Sequence, residues 1–219
     1  LRKIQAFGDR LKTKCDEVKL ESGRDYLDRM QSAAARMQTL INDLLTFSRV
    51  ISRTQPFAPV NLAAVTREVL NDLEIRIEKN NAQVQVGELP TVEGDAMQIR
   101  QLLQNLIGNA LKFQPPGATP VVRIQGRVVV QPSGHGNTVF VANKSADGSE
   151  VTLGEEFCEL TVQDNGIGFD EKYLDKIFAV FTRLHGRQEY EGTGIGLAVC
   201  RRIADRHGGT ITARSAPGQ

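Results

Sequence analysis

Phe157-Cys158-Glu159-Leu160-Thr161-Val162-Gln163-Asp164-Asn165-Gly166-Ile167-Gly168 reads as a half-buried strand running into a turn. Apolar and polar residues alternate towards Val162, and Asp-Asn-Gly is a signal that ends such a run. At the strand's end Asp164 is placed to accept a hydrogen bond from an exocyclic amine. Gly166 and Gly168 let a flat ring approach the backbone closely. The same step is common in ordinary strand-to-loop turns, so by itself it does not choose between a nucleotide site and a plain connection.

Downstream, Lys172 to Phe181 has helical character and carries Ile177-Phe178 followed by Phe181. A polar, charged stretch runs from Thr182 to Glu191 and meets Gly192-Thr193-Gly194-Ile195-Gly196-Leu197. Leu197, Val199, Cys200 and Ile203 then form one face of a short helix, which Gly208-Gly209 should cap before a last strand begins at Thr210-Ile211-Thr212-Ala213. Upstream, Val121–Val130 and Thr138–Val141 are expected as two strands of a hairpin around Pro132–Asn137, with a polar loop over Asn143–Gly154. Asp95 is a candidate N-cap for a helix carrying Ile99, Leu102, Leu103, Leu106 and Ile107. That helix should stop near Phe113, because Pro115-Pro116-Gly117 cannot continue it. Before it come a helix over roughly 62 to 80, with Val65, Val69, Leu73 and Ile77 on one face, a short strand at Gln83–Val86 and a second beginning at Leu89-Pro90.

The first fifty residues are helical, interrupted at Glu21-Ser22-Gly23. Leu1, Ile4, Phe7 and Leu11 make one apolar face. Leu27, Met30, Ala34, Met37, Ile41, Leu44 and Phe47 make a second, close to a heptad rhythm. Two such helices joined by a short turn form an antiparallel hairpin. Its stripe needs a partner, and a second copy completing a four-helix bundle is expected rather than packing on the rest of the chain. Pro56 and Pro59 mark a linker. The expected organisation is a helical hairpin over 1–54, a linker over 55–60 and a mixed α/β domain over 61–219, giving an α+β chain.

Composition narrows the classes of function. Of 219 residues 40% are hydrophobic, enough for a packed core, and the net charge of +1 offers no basic field for nucleic acid. No Trp and 5% aromatic residues argue against base-stacking platforms of the single-strand-binding kind. No apolar run reaches the roughly 20 residues of a membrane span, and no signal peptide is visible. The three cysteines, Cys15, Cys158 and Cys200, are far apart and read as reduced thiols of a cytoplasmic protein; the three histidines show no metal-ligand spacing.

On the helix before Pro115, Asn105, Asn109 and Lys112 stand at i, i+4 and i+7 and share one face. Carboxamide oxygens suit a hard cation such as Mg2+, and an ammonium suits phosphate. A solvated helix face with asparagines would look the same. Gly192 to Gly196 adds backbone N–H groups opening onto a helix N-terminus, a favourable place for phosphate oxygens. It matches neither the P-loop nor a complete dinucleotide fingerprint.

Taken together these stretches resemble the sensor histidine kinases. Asn105-Leu106-Ile107-Gly108-Asn109-Ala110-Leu111-Lys112-Phe113 is similar to their N box and Asp164–Phe169 to their first glycine box. Ile177-Phe178 with Phe181 and Arg183 resembles the F box, and Gly192–Leu197 the second glycine box. Asp43-Leu44-Leu45-Thr46-Phe47-Ser48-Arg49 looks like the second helix of the dimerisation and phosphotransfer module. Phe181-Thr182-Arg183-Leu184-His185 and Arg206-His207-Gly208-Gly209 are most similar in wording to phytochrome- and PAS-linked kinases.

The resemblance implies a Bergerat-type ATP-binding sandwich with a mixed sheet, following a hairpin that dimerises through residues 1–50. It implies Asp164 on the adenine amine, Asn109 and Asn105 on Mg2+, and Lys112 on the phosphates. Gly192, Thr193, Gly194, Gly196 and Leu197 would line the phosphate end, at the edge of a flexible lid from about 170 to 193. Phe178, Phe181 and Arg183 would fasten that lid, with Arg187 a looser candidate for a phosphate contact. Gly166 and Gly168 belong to the base pocket. The implied cofactors are ATP and Mg2+, and the implied partners a second copy and a response-regulator receiver domain.

The family's acceptor histidine precedes residues like Leu1-Arg2-Lys3-Ile4, so it is expected upstream of Leu1. His135, His185 and His207 are not expected to replace it. Two alternatives are an ATPase of the same superfamily and a non-enzymatic dimeric scaffold gated by ATP. The first needs a carboxylate general base, and the corresponding place is Asn105.

Overall fold

The computed structural model describes residues 2–17, 21–52, 56–131, 140–143, 155–184, 186, 189–190 and 192–218. The turn expected at 132–137, most of the loop over 143–154, the hairpin turn at 18–20, His135, His185 and Arg187 lie outside the described residues. The chain divides into two compact units, Leu1–Ser48 and Arg49–Gln219.

The first unit is two helices, α1 (Arg2–Glu17) and most of α2 (Glu21–Ser52). Glu21-Ser22-Gly23, expected as an interruption, forms the first turn of α2. Gln31 Nε2 donates to Asp9 Oδ1 at 2.6 Å, and Lys12 Nζ pairs with Asp28 Oδ1 at 2.6 Å. Contacts that ascend α1 while descending α2 make the pair antiparallel. Of the described side chains of the apolar stripe, only Leu27 and Ala34 are buried, while Ile4, Phe7, Leu11, Met30, Met37, Ile41 and Leu44 stay exposed.

The second unit begins with β1 (Ala58–Asn61), so part of the expected linker is a strand. Next come α3 (Leu62–Asp72), α4 (Glu74–Lys79), β2 (Gln83–Val86), β3 (Thr91–Gly94) and α5 (Ala96–Lys112). The order continues with β4 (Val121–Gln131), β5 (Phe140–Asn143), β6 (Glu155–Asp164), a 3-10 turn over Glu171–Tyr173, α6 (Leu174–Ile177) and α7 (Gly196–Arg206). The helix expected over 62 to 80 breaks at Leu73, whose φ of −96° and ψ of 2° leave the α region. Val65 and Val69 of α3 are buried, whereas α4 buries no residue fully and leaves Ile75 exposed, so less packing holds the second half in line.

β1 and β3 form an antiparallel pair. The larger sheet has the order β2-β4-β6-β5, parallel between β2 and β4 and antiparallel elsewhere, which makes it mixed. Here the expected hairpin is corrected: β4 does not pair with β5. β6 lies between them, in a register from Val122↔Asp164 to Gln131↔Glu155. That register puts Ile124 opposite Val162 and Gly126 opposite Leu160, on the face that carries buried Val122, Ile124, Cys158 and Leu160. Alternation signals strands but not their partners; burial of this face selects β6. The opposite face is polar, with Arg123 Nε donating to Gln85 Oε1 and Arg127 paired with Glu159.

α5 packs against α3, α7, β4 and β6. Asp95 caps it by accepting from the backbone N–H groups of Met97 and Gln98 at 3.1 and 3.2 Å, and Ile99, Leu102, Leu103, Ile107 and Leu111 are buried along it. α7 buries Ala198, Val199, Cys200, Ile203 and Ala204 and ends at Gly208, whose φ is +71°. The last strand expected at 210–213 is absent. Instead, Ser215 Oγ accepts from Phe169 N at 2.9 Å and Gly218 N donates to Ile167 O at 2.9 Å, which lays the C-terminal segment along the loop after β6.

His207 ties these elements together. Its Nε2 accepts from Asp95 N at 3.0 Å, and its Nδ1 lies 2.8 Å from Ile203 O, which assigns the proton to Nδ1. Phe57 stacks on its ring at 4.6 Å between centroids. Burial holds its pKa below the ordinary 6.5, with Arg206 adding to that effect and Asp95 opposing it. A histidine kept neutral in the fold makes the unfolded state the better proton binder, so stability is lost as pH falls below about 6.5. Thermal melts should show this loss in the parent and a flatter profile in His207→Gln. His207→Ala should cost roughly 2–5 kcal/mol, because it leaves a cavity and an unpaired Asp95 N–H.

Candidate functional site

Asn105, Asn109 and Lys112 all stand half-buried on α5. They meet the second glycine stretch directly. A Cβ on Gly196 would lie 3.3 Å from Asn105 Oδ1, and a Cβ on Gly192, at φ +142°, would lie 3.1 Å from Lys112 Nζ. The Asn105 amide nitrogen is buried without a hydrogen-bond partner of normal geometry, beside the buried Cys200 thiol. Burial pushes that thiol up to about 12, which keeps it protonated and inert. The Lys112 ammonium also sits 3.8 Å from the Phe113 ring centroid.

α7 starts at Gly196 with no side-chain cap, which leaves its first N–H groups without a capping side chain, and Asn105 stands beside that start. Gly194 is required by a close approach as well as by its φ of +75°, since a Cβ there would lie 2.6 Å from Thr182 O. Thr193 and Leu197 flank it half-buried. Arg183 organises the polar stretch: its guanidinium donates to Gly192 O at 2.6 Å, to Gly186 O at 3.2 Å and to Tyr190 O. Phe178 is buried, with the Arg201 guanidinium 5.7 Å from its ring centroid. Phe181 is different. It is 57% exposed and carries a φ of +64°, so its ring fastens nothing by burial in this state.

Asp164 ends β6, and its Oδ1 accepts from Gly166 N at 2.8 Å. The residue remains accessible, yet the protein packed around its carboxyl raises the pKa above the ordinary value, with the Gly166 N–H pulling the other way. The reasons for the neighbouring residues differ from the expectation. A Cβ on Gly166 would collide with the carbonyl oxygen of Phe113 and with Asp164 Oδ1, and one on Gly168 with Ala216 O. These glycines permit a close approach by the chain's own backbone. Asn165 pins the entry to β4, accepting from Val121 N at 2.8 Å and donating to Thr119 O at 3.0 Å.

Two residues outside the expected set of site residues also belong here. Phe113, which closes the stretch similar to the N box with no contact of its own expected, accepts from Ile167 N at 3.0 Å. Tyr190, read only as part of a polar stretch, donates its hydroxyl to Gln114 O at 3.0 Å and lies 5.1 Å from Phe113 between ring centroids. A cleft of about 570 Å3 opens beside them, lined by Gln114, Pro116, Ile167, Glu189 and Tyr190. A second cleft, of about 460 Å3, lies on the polar sheet face around Arg127 and Glu159, and none of the expected site residues lines it.

Among the described residues no group of three or more His, Cys, Asp or Glu is placed to hold a metal ion. The donors that α5 offers a cation are carboxamide oxygens, which fit a hard ion that keeps phosphate and water oxygens in its shell. Chemically the arrangement provides a carboxylate acceptor at one end, and an ammonium and helix N–H groups at the other.

Residues 94–219 match the family of histidine kinase-, DNA gyrase B- and HSP90-like ATPases, and residues 1–53 match the His kinase A phospho-acceptor domain. The chain is 32% identical over 219 residues to the phytochrome-like protein Cph1 of Synechocystis, covering 100% of this chain and 26% of that protein. It is 29% identical over 201 residues to the adaptive-response sensory kinase SasA of Synechococcus, covering 90% of this chain and 46% of the other. It thus spans about a quarter of the phytochrome-like relative. Among solved structures, full-length ShkA in complex with AMPPNP superimposes with a TM-score of 0.61 at 21% identity, over 100% of this chain and 43% of that one. The histidine kinase ThkA in complex with the response regulator TrrA gives 0.55 at 22%, over 90% and 51%. At these identities both show likeness of fold.

The raised pKa of Asp164 carries a prediction about stability. Its contribution falls as pH rises from the ordinary 3.8 through the raised folded-state value, and the penalty is complete above that. Asp164→Asn removes the partly desolvated charge and keeps an oxygen for the Gly166 N–H. Near pH 7 its melting temperature should equal or exceed the parent's.

Proposed function

We propose that this chain, which belongs to the sensor histidine kinases, binds ATP with Mg2+ between α5, the loop after β6 and the start of α7. From there it would deliver the γ-phosphate to a histidine, for onward transfer to a response-regulator aspartate. The observation that carries the reading is the meeting of Lys112 with Gly192 and of Asn105 with Gly196. It gives an ammonium, a carboxamide and a helix N-terminus on one small surface, which suits the phosphates.

In this reading the Asp164 carboxylate accepts from the adenine amine, and Gly166 and Gly168 shape the loop that positions it. Asn109, with Asn105, would hold Mg2+, whose bound form supplies charge neutralisation across the phosphate oxygens. Lys112 neutralises a further phosphate oxygen. Thr193, Gly194, Gly196 and Leu197 form the phosphate edge. Phe178 and Arg183 anchor a lid over about 170–193, to which Phe181 and Arg187 are assigned as well. Phosphoryl transfer asks for positioning and charge more than for covalent chemistry from the protein.

The organisation proposed is a dimerising hairpin over 1–54, a linker over 55–60 and the catalytic domain over 61–219. The exposed stripe of Ile4, Phe7, Leu11, Met30, Met37 and Ile41 supports a second copy as the partner of residues 1–50. A receiver domain is the proposed phosphate acceptor downstream. No described helix is long and apolar enough to cross a membrane, and cytoplasmic placement is part of the proposal. An ATPase that activates water is disfavoured because the Asn105 carboxamide takes no proton.

Calorimetry of Mg-dependent ATP binding tests the site. The parent should bind, and Asn109→Asp and Asp164→Asn should each lose about tenfold or more in affinity. Unchanged binding in both would refute the assignment. Residues 1–53 contain no histidine, so radiolabelled γ-phosphate should not be incorporated into this chain. Acid-labile incorporation would contradict that expectation.

A further inference from the structure

The cleft beside Ile167 has an aromatic wall to which the nucleotide reading gives no task. Tyr190 stands on the stretch that Arg183 gathers, and its own carbonyl is one of the three oxygens on that guanidinium. From there the side chain reaches the end of α5. Its hydroxyl donates to Gln114 O at 3.0 Å, and its ring lies at 52° to that of Phe113. The ring is therefore fixed at its root, its edge and its tip.

Held in this way, Tyr190 lines the cleft. The cleft, about 570 Å3, is within the range of small-molecule sites. Ile167 lines it as well, and its N–H is bonded to the Phe113 carbonyl. Asp164 is joined to the same loop through Gly166 N. An aromatic face and an aliphatic side chain lining one cleft, with a carboxylate acceptor on the adjoining loop, suit a flat heteroaromatic ring that carries an amine.

We propose that Tyr190 is a nucleobase-stacking residue, whose ring forms one wall of the base pocket with Ile167 as another. The inference rests on the nucleotide reading above and adds to it a base contact from the stretch between the two glycine motifs. The ring supplies the contact; the hydroxyl only steers it, through Gln114 O.

The test is ATP affinity by calorimetry in the 219-residue chain for Tyr190→Phe, Tyr190→Trp and Tyr190→Ala. Loss of a stacking face should weaken binding roughly tenfold in Tyr190→Ala, while Tyr190→Phe stays within about twofold and Tyr190→Trp matches the parent or exceeds it. The chain holds three tyrosines and no Trp, so tyrosine emission gives a second readout. ATP should change the emission of the parent but leave that of Tyr190→Phe unchanged at similar affinity. Parent-like affinity in Tyr190→Ala overturns the proposal. So does a loss in Tyr190→Phe as large as in Tyr190→Ala, which would make the Gln114 anchor the active feature. An equal emission change in the parent and Tyr190→Phe overturns it too. A parent that binds no ATP sinks the nucleotide reading itself, whatever the Tyr190 variants do.

Discussion

The second unit depends on how closely α5 and the start of α7 meet. Asn105 and Lys112 approach Gly196 and Gly192 to distances at which a β-carbon would already be crowded. A side chain at Gly196 would crowd the Asn105 carboxamide, and one at Gly192 would displace the Lys112 ammonium. The residues on either side hold the approach in place: Ile107 and Leu103 of α5, and Val199 and Ile203 of α7, are buried. A close-packed interior makes this spacing stiff, so it is available to a ligand without reorganisation.

The two ends of α5 are fixed by different means. At its start Asp95 caps the helix while its own N–H bonds to His207 at the end of α7, which also joins β3 to that end. At its finish the Phe113 carbonyl holds Ile167, and the C-terminal segment crosses Gly168 behind it. The Asp164 loop is thus suspended between α5 and the chain's own end. The glycines that looked like a gift to a ligand serve this crossing first. A bound base would still lean on a loop whose shape the protein alone maintains.

What the sequence disclosed follows from the range of the forces involved. α5 was legible because its signals are local: Asp95 at one end, Pro115-Pro116 at the other, and apolar residues at helical spacing between them. The Gly208 cap of α7 was legible for the same reason. The pairing of β4 with β6 was not, since Val121–Gln131 alternates equally well for either neighbour and only burial of one face decides. The break at Leu73 depends on what α4 lacks beneath it. The tether of Tyr190 depends on a carbonyl at Gln114, which leaves no mark in a side-chain pattern. Motif resemblance located the glycines and asparagines, but their physical reasons emerged only when distant segments were brought together.

A two-dimensional amide spectrum of the 219-residue chain, taken with and without ATP and Mg2+, reads the proposed site most directly because glycine resonances are well separated. The account predicts that the amides of Gly166, Gly168, Gly192, Gly194 and Gly196 shift on addition, while Gly87, Gly117 and Gly126 stay in place. Shifts centred on Gly126 and its neighbours on the polar sheet face, with the first five unmoved, would place nucleotide in the other cleft and contradict the account.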